Sequence, residues 1–294
     1  MKTVIHIDFQ RIRSFAATMT MISLIIVGAV ILYVDIKTIE LPHGSIIHVF
    51  PAKAYNNNRH AIVICPGGGY IVLKKWHEGF YWVPFFQNLG YTVAILEYRM
   101  PNHDKTTPTV DGIDAMSFMR ACADLWGFDT DKIGIMGFSA GGHLASTISV
   151  THDPLTRPNF SILFYPVISM KKGLTHQQTH DNLLGHAPSE EQELQMSNEL
   201  HIKEDIPLTF IAVSGNDTIV NPQNSYLYHQ AIISIHKSSS LHVYPNGGHG
   251  WGFYKTFGYH EKMIDDLKTW LNKIQNYDSE KPTYRGKSDQ EFKH

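Results

Sequence analysis

The segment that most constrains the fold is residues 133–143, which read Ile-Gly-Ile-Met-Gly-Phe-Ser-Ala-Gly-Gly-His. An apolar, strand-like run leads directly into a Gly-x-Ser-x-Gly pattern, and a helix-forming segment follows from Ala140. In this context of strand, sharp turn and helix, the pattern presents its serine as a nucleophile. The glycines at 137 and 141 relieve crowding against the neighbouring strand and helix. The segment therefore predicts a strand–turn–helix unit with Ser139 at the turn.

Segments on both sides of this unit continue the alternation of strands and helices. Between two of the predicted strands, a polar stretch at about 166–207 is longer than a normal connection. The sequence therefore predicts an α/β fold, with a mostly parallel sheet flanked by helices and a short cap insertion at 166–207. We expect strands at 45–50, 61–65, 91–97, 132–138, 160–165, 208–213 and 241–244, and helices at 109–125, 140–150 and 260–274.

The composition of the chain limits the class of protein and the kinds of site that it can carry. The chain has 294 residues, of which 43% are hydrophobic and 18% charged, so it can bury a large core. A formal net charge of -2 argues against a polybasic surface for nucleic acid, and function must then come from a localised site. Of the two cysteines, Cys65 lies in an apolar run and Cys122 in a helical stretch, which favours buried thiols over a disulfide.

The N-terminal region suggests export. Residues 15–34 are uncharged and long enough to cross a bilayer, and they follow Arg11 and Arg13, a charge order that would leave the rest outside the cytoplasm. The small residues at 27–29 would also suit cleavage of a secretory signal. We therefore interpret 1–34 as a signal peptide or membrane anchor, 35–276 as the catalytic domain and 277–294 as a polar tail. This predicts an exported protein, periplasmic or membrane-anchored. The alternative is a cytoplasmic protein whose first strand includes 31–36.

Two residues after later strands are candidate partners of Ser139. In sheets with this nucleophile turn, an acid and then a histidine follow the serine along the chain. Asp217 lies just past the strand at 208–213, and His249 lies in a glycine-containing loop after the strand at 241–244. His249 would take the serine proton, and Asp217 would hold the imidazole tautomer. His143 and His242 are interpreted as structural, because one lies on the helix after the turn and the other within a strand.

A run of three glycines follows the strand at 61–65. Glycines allow the backbone to approach a bound acyl group and to direct N–H donors at it. We expect an oxyanion hole formed by Ala140 together with Gly68 or Gly69. The run lacks the Lys-Ser/Thr of a P-loop and the spacing of a dinucleotide-binding loop, so phosphate binding is a weaker interpretation. No cofactor is predicted.

Six short motifs carry a family resemblance: Pro66-Gly-Gly-Gly-Tyr70, Glu97-Tyr-Arg-Met-Pro101, Trp126-Gly-Phe-Asp129, Gly137-Phe-Ser-Ala-Gly-Gly-His-Leu-Ala-Ser146, Asn182-Leu-Leu-Gly185 and Gly247-Gly-His-Gly-Trp251. Together they resemble bacterial α/β-hydrolases of the acetyl-esterase and acetylxylan-esterase type, relatives of the hormone-sensitive-lipase-like and feruloyl-esterase-like groups. The resemblance covers roughly residues 40–275. It implies an α/β-hydrolase fold and a serine carboxylesterase acting on short acyl esters, often acetyl groups on plant-wall sugars.

This resemblance has one departure and leaves some properties open. Lipase-type relatives usually have a histidine before the glycines, where this chain has Pro66, so the hole must be braced differently. Small-molecule or oligosaccharide esters are the expected substrates, with Tyr70 and Trp251 as candidate contacts, although a packing role for Trp251 is equally consistent with its position. Acyl length, the alcohol and the oligomeric state stay open.

Three other interpretations agree with parts of the sequence. A serine peptidase of the prolyl-oligopeptidase type shares the fold, but those enzymes usually carry an additional propeller domain. A non-catalytic binding protein would not need Ser139, Asp217 and His249 together. The histidines at 176, 180 and 186 suggest a metal site, but their spacing matches no common ligand pattern, so we predict no metal.

Overall fold

The computed structural model describes residues 5–6, 38–151 and 153–280. Within these residues, nine strands form one sheet in the order β1-β2-β3-β5-β4-β6-β7-β8-β9. The strands are β1 (Ile5–His6), β2 (Thr38–Glu40), β3 (Ile46–Phe50), β4 (Ala61–Cys65), β5 (Thr92–Glu97), β6 (Ile133–Phe138), β7 (Phe160–Phe164), β8 (Leu208–Ser214) and β9 (Ser239–Tyr244).

The sheet is mostly parallel, as the sequence predicted. Only β3 runs against its neighbours, because it pairs antiparallel with both β2 and β5. From β5 to β9 every neighbouring pair is parallel. The central strands β4, β6 and β7 are buried along their whole length, as expected of parallel strands covered on both faces.

Helices cover both faces of the sheet. The helices are α1 (Val83–Asn88), α2 (Thr106–Ala121), α3 (Ala123–Trp126), α4 (Ser139–Ser149), α5 (Gln177–Leu184), α6 (Glu190–Gln195), α7 (Gln223–Ser234) and α8 (His260–Glu280), with short 3-10 turns at Phe80–Trp82 and Asn198–Leu200. One apolar core contains side chains of α2, α4 and α7. The second core contains side chains of α1 and α8. The sheet therefore separates two cores.

The structure adjusts several predicted boundaries. The helix expected at 109–125 begins earlier, at Thr106, and is interrupted at Cys122, where φ is -98° and ψ is 10°. The last helix continues beyond 274 to Glu280. The stretch at 166–207 contains α5 and α6, and α6 starts with a capping box made by Ser189 and Gln192. The two-residue strand β1 and the three-residue strand β2 were not predicted, since such short segments have no readable period.

Some expectations concern residues that the structure does not describe. The apolar run at 15–34 and the polar residues 281–294 lie outside the described ranges. Among the residues that are described, no helix has both the length and the apolar character needed to span a membrane. In the same ranges, Cys65 and Cys122 are free thiols.

Candidate active site

Four loops meet at one edge of the sheet. The strands β4, β6, β8 and β9 all point the same way, so their carboxyl ends lie at the same edge. In open α/β sheets this edge is where ligands bind. The glycine run follows β4, Ser139 follows β6, Asp217 follows β8 and His249 follows β9. The topology therefore brings together residues that are far apart in the sequence.

Ser139 lies at a strained turn between β6 and α4. Its φ of 51° is in the left-handed region, which an L-residue with a side chain adopts only at a cost. The flanking glycines make the turn possible by leaving room: a Cβ on Gly137 would lie 2.2 Å from the Gly141 oxygen, and a Cβ on Gly141 would lie 2.2 Å from the Cys65 oxygen. The predicted reason for both glycines is thus seen directly.

His249 connects Ser139 to Asp217. Its Nε2 lies 2.8 Å from Ser139 Oγ, and its Nδ1 lies 2.6 Å from Asp217 Oδ2. An ionised carboxylate can only accept, so Nδ1 carries the proton and Nε2 is free to accept the serine proton. Asp217 Oδ1 accepts the backbone N–H groups of Ile219 and Val220, at 2.9 and 3.0 Å. The Asp217 side chain is fully buried and its orientation is therefore fixed.

The glycine loop lies directly against Ser139. A Cβ on Gly67 would lie 3.0 Å from the Cβ of Ser139. Gly68 and Gly69 have φ values of 133° and 65°, which favour glycine. Within the described part of the chain, neither of their N–H groups donates to a protein acceptor. Ala140 is buried and lies in the first turn of α4, where helix N–H groups have no partner within the helix.

A buried carboxylate that sequence reasoning missed braces this loop. Glu78 is 2% exposed, and its Oε2 accepts the N–H of Gly67 at 2.9 Å. Its Oε1 accepts the hydroxyl of Tyr165 at 2.8 Å, and that hydroxyl accepts the N–H of Gly252 at 2.8 Å. Burial raises the pKa of Glu78, while its hydrogen bonds and the nearby His249 act in the opposite direction. Glu78 thus joins the glycine loop to the loop that carries His249.

The neighbouring Pro66 has its own support. Tyr98 donates its hydroxyl proton to the Pro66 oxygen at 2.7 Å. Glu78 and Tyr98 thus hold the loop through Gly67 and Pro66. Nothing in the sequence around Glu78 marks it, because a single glutamate outside any motif carries no signal of burial.

Tyr70 and Trp251, the two expected substrate contacts, are both largely buried. The Tyr70 hydroxyl donates to Nδ1 of His143 at 3.0 Å, and Tyr70 is one of the residues that line a surface groove. Trp251 is 5% exposed, stacks on Phe257 at 4.2 Å and donates Nε1–H to Ser214 Oγ. These contacts favour the packing alternative for Trp251.

The other histidines have structural surroundings. His143 is fully buried, and Nε2–H donates to the Met196 oxygen at 2.8 Å, while burial lowers its pKa to about 4. His242 stacks on Phe210 at 4.6 Å. His180, in the cap, lies between Asp181 and Glu193. Across the described ranges, no group of three His, Cys, Asp or Glu side chains is arranged to hold a metal ion.

The cap contacts the glycine loop. Asn182, on α5, donates its amide to the Gly69 oxygen at 2.8 Å. His176, just before α5, hydrogen-bonds to Thr179 at 2.8 Å. It also interacts electrostatically with His249 and Asp217. Burial lowers the pKa of His176. The insertion at 166–207 therefore forms part of the site's wall.

Comparison with known families identifies the group to which this site belongs. The model of the BD-FAE family matches residues 47–232, which include Ser139, Asp217 and the glycine loop. The chain belongs to the BD-FAE family. The family match ends before His249, so the assignment of His249 to the site depends on its hydrogen bonds to Asp217 and Ser139.

Individual relatives of this BD-FAE chain agree with the assignment. It is 37% identical over 223 residues to an acetylxylan esterase of Xylanibacter ruminicola, covering 74% of this chain and 46% of the relative. It is 32% identical over 230 residues to endo-1,4-beta-xylanase B of Butyrivibrio fibrisolvens, covering 72% and 35%. The chain thus spans less than half the length of either curated relative.

A solved structure agrees on the fold. The acetyl ester-xyloside bifunctional hydrolase of Caldicellulosiruptor lactoaceticus superposes with a TM-score of 0.74 at 26% identity, covering 79% of this chain and 89% of that one. The fold of the BD-FAE chain is accordingly that of the α/β hydrolases.

Proposed function

We propose that the chain is a serine carboxylesterase that removes short acyl groups, acetyl in particular, from esters of carbohydrate. One observation carries the proposal: Ser139, His249 and Asp217 form a continuous hydrogen-bonded line beside a glycine loop. The names of the relatives support the substrate class, since one is an acetylxylan esterase and another hydrolyses acetyl esters and xylosides.

The geometry supports a two-step reaction through an acyl-enzyme. Ser139 Oγ attacks the ester carbonyl carbon while His249 Nε2 takes its proton. The negative charge that develops on the carbonyl oxygen is stabilised by N–H groups of Ala140 and of Gly68 or Gly69. His249 then returns the proton to the leaving sugar alcohol, and a water molecule hydrolyses the acyl-enzyme by the same steps. Asp217 keeps the tautomer correct throughout.

Activity measurements on a nucleophile variant test this mechanism. We expect Ser139→Ala to lower turnover of acetylated xylo-oligosaccharides and of 4-nitrophenyl acetate by at least about 10⁴-fold with folding intact. The exposed Ser234 provides a matched control, and Ser234→Ala should retain full activity. Unchanged turnover in Ser139→Ala would refute the assignment of Ser139 as the nucleophile.

A substrate panel tests the ester class. Acetyl esters should be cleaved faster than butyryl or octanoyl esters of the same alcohol. Proline-linked peptide anilides, offered at equal concentration, should be cleaved at a negligible rate. Amide turnover that rivals ester turnover would favour the peptidase alternative instead.

Export is part of the proposal. The apolar run at 15–34 behind Arg11 and Arg13 supports a signal peptide or an anchor. Fractionation of cells that express the full chain with a C-terminal tag should place it in the periplasmic or membrane fraction. Recovery in the cytoplasmic fraction alone would contradict export.

A further inference from the structure

A groove of about 220 Å³ opens beside the glycine loop. Three segments form it: the glycine loop, the loop that follows β5, and helix α5 of the cap. The lining residues are Tyr70, Ile71, Met100, Asn102, His103 and Asn182. None of these six carries a carboxylate or an ammonium group.

The groove lies close to the reacting centre. Gly67 contacts Ser139, and Tyr70 follows Gly67 by three residues. Because consecutive Cα atoms are about 3.8 Å apart, the Tyr70 Cα lies at most about 11 Å from that of Gly67. Asn182, on the opposite wall, is bonded to the Gly69 oxygen. The groove therefore adjoins the loop that carries the predicted oxyanion-hole glycines.

Hydrogen bonds to protein groups orient the polar atoms of the groove. His103 Nδ1 lies 2.9 Å from the backbone carbonyl oxygen of Asp181, which can only accept, so Nδ1 carries a proton. In the tautomer with this single ring proton, Nε2 is an acceptor. The Asn182 amide nitrogen is engaged by Gly69, which leaves its Oδ1 as an acceptor at the groove. Asn102 adds an exposed amide, which can donate and accept.

The backbone that presents two of these side chains is strained. Asn102 and His103 have φ values of 47° and 69°, two consecutive left-handed residues that are not glycine. Such conformations persist only where surrounding bonds hold them, and they concentrate at ligand sites. Here the backbone N–H of His103 donates to the backbone carbonyl oxygen of Asn182 at 3.0 Å, which ties the strained pair to α5.

We propose that this groove binds a neutral sugar ring in the alcohol part of the substrate, one that carries free hydroxyl groups. The inference deepens the proposed function and rests on it. Hydroxyl protons of the ring donate to His103 Nε2 and Asn182 Oδ1, and its C–H surface packs on Ile71 and Met100. The absence of charged lining residues suits an uncharged polyol and does not suit an anionic ligand.

Two variants test the groove without touching the catalytic line. Asn102→Gly and His103→Asn both tolerate a positive φ, so the loop can keep its shape. We expect each to lower kcat/KM for acetylated xylo-oligosaccharides about 5- to 10-fold, the effect of losing one hydrogen bond. Activity on 4-nitrophenyl acetate, which has no sugar ring, should stay unchanged. His236→Asn is the matched control, because His236 is also exposed with a φ of 60° but lies at the end of α7.

A binding measurement on an inactive variant separates failure of this inference from failure of the proposed function. Ser139→Ala should bind unacetylated xylotetraose in calorimetry, and adding His103→Asn should weaken that binding about 5- to 10-fold. If the wild-type chain cleaves no sugar acetate, the proposed substrate class fails, and the binding measurement alone then decides on the groove. Equal losses on both esters, or no loss on the sugar ester together with unchanged binding, would overturn the groove assignment.

Discussion

Glu78 accepts a hydrogen bond from the Tyr165 hydroxyl at 2.8 Å, and both side chains are almost fully buried. The same carboxylate holds the N–H of Gly67, while the Tyr165 hydroxyl accepts the N–H of Gly252, three residues past His249. The Tyr165 ring also lies 4.7 Å from the His249 ring. One buried acid thus anchors both the glycine loop and the histidine loop.

Replacing Glu78 should lower activity more than substrate affinity. Both carboxylate oxygens of Glu78 accept a hydrogen bond, and the amide of Glu78→Gln has only one oxygen to offer. One donor is then left without its acceptor, and the glycine loop or Tyr165 must move. We expect kcat to fall about 10- to 100-fold with little change in KM, since misplacement of the N–H donors weakens binding of the transition state alone.

A purely structural role of Glu78 would give a different result. In that case Glu78→Gln would lower the free energy of unfolding and leave kcat of the folded fraction unchanged, which circular dichroism and active-site titration can separate. Glu191→Gln, on an exposed position of α6, is the control and should match the wild type.

Gly67→Ala should impair the site through steric contact alone. Gly67 has no positive φ, but a Cβ there would lie 2.7 Å from the Phe138 oxygen and 2.8 Å from Glu78 Oε2. Overpacking of this kind costs about 1–3 kcal/mol, and relief requires the nucleophile turn or Glu78 to shift. We expect kcat/KM to fall at least about 10-fold. Gly258→Ala, where a Cβ has open space, should change neither activity nor stability, and an equal effect of the two alanines would contradict the steric reason.

Asp217→Asn should leave the fold intact and remove most of the activity. The amide of asparagine can donate to His249 Nδ1, which favours the tautomer whose Nε2 carries a proton and cannot accept from Ser139. We expect kcat to fall about 10³- to 10⁴-fold, measured by steady-state kinetics on 4-nitrophenyl acetate. Asp265→Asn, on the exposed side of α8, serves as the control. Activity of Asp217→Asn within a few-fold of the wild type would argue against the tautomer role.

Stability should depend on pH through His143. Burial lowers the pKa of His143 to about 4, whereas an unfolded histidine titrates near 6.5. The unfolded chain therefore binds more protons than the folded chain between these values. The free energy of unfolding should fall as pH decreases from about 6.5 to 4, by up to about 3 kcal/mol from this residue.

Denaturant titrations of the wild type and His143→Gln at several pH values can isolate this contribution. The variant lacks the titrating group, so it should be less stable at pH 7 and its deficit should shrink as the pH falls. A deficit that stays constant from pH 7 to pH 4 would show that His143 does not contribute to the pH dependence.

The strands and the nucleophile turn could be predicted from the sequence because each depends on residues that are close together in the chain. Short apolar runs bounded by turn residues, such as β4 and β6, favour strands, and the glycines around Ser139 are needed by a turn only a few residues long. Asp217 and His249 could be named as candidates because parallel strands deliver their following loops to one edge. The structure then brings His249 within hydrogen-bond distance of both Asp217 and Ser139.

Tertiary structure alone decided how the site is braced and enclosed. Glu78 and Tyr165 are 87 residues apart, and Asn182 is 113 residues from the glycine whose oxygen it holds. No period or motif records such pairs, because each exists only where separate segments pack together. The burial that changes the pKa of Glu78 and His143, and the groove between the glycine loop and the cap, arise in the same way from the folded chain as a whole.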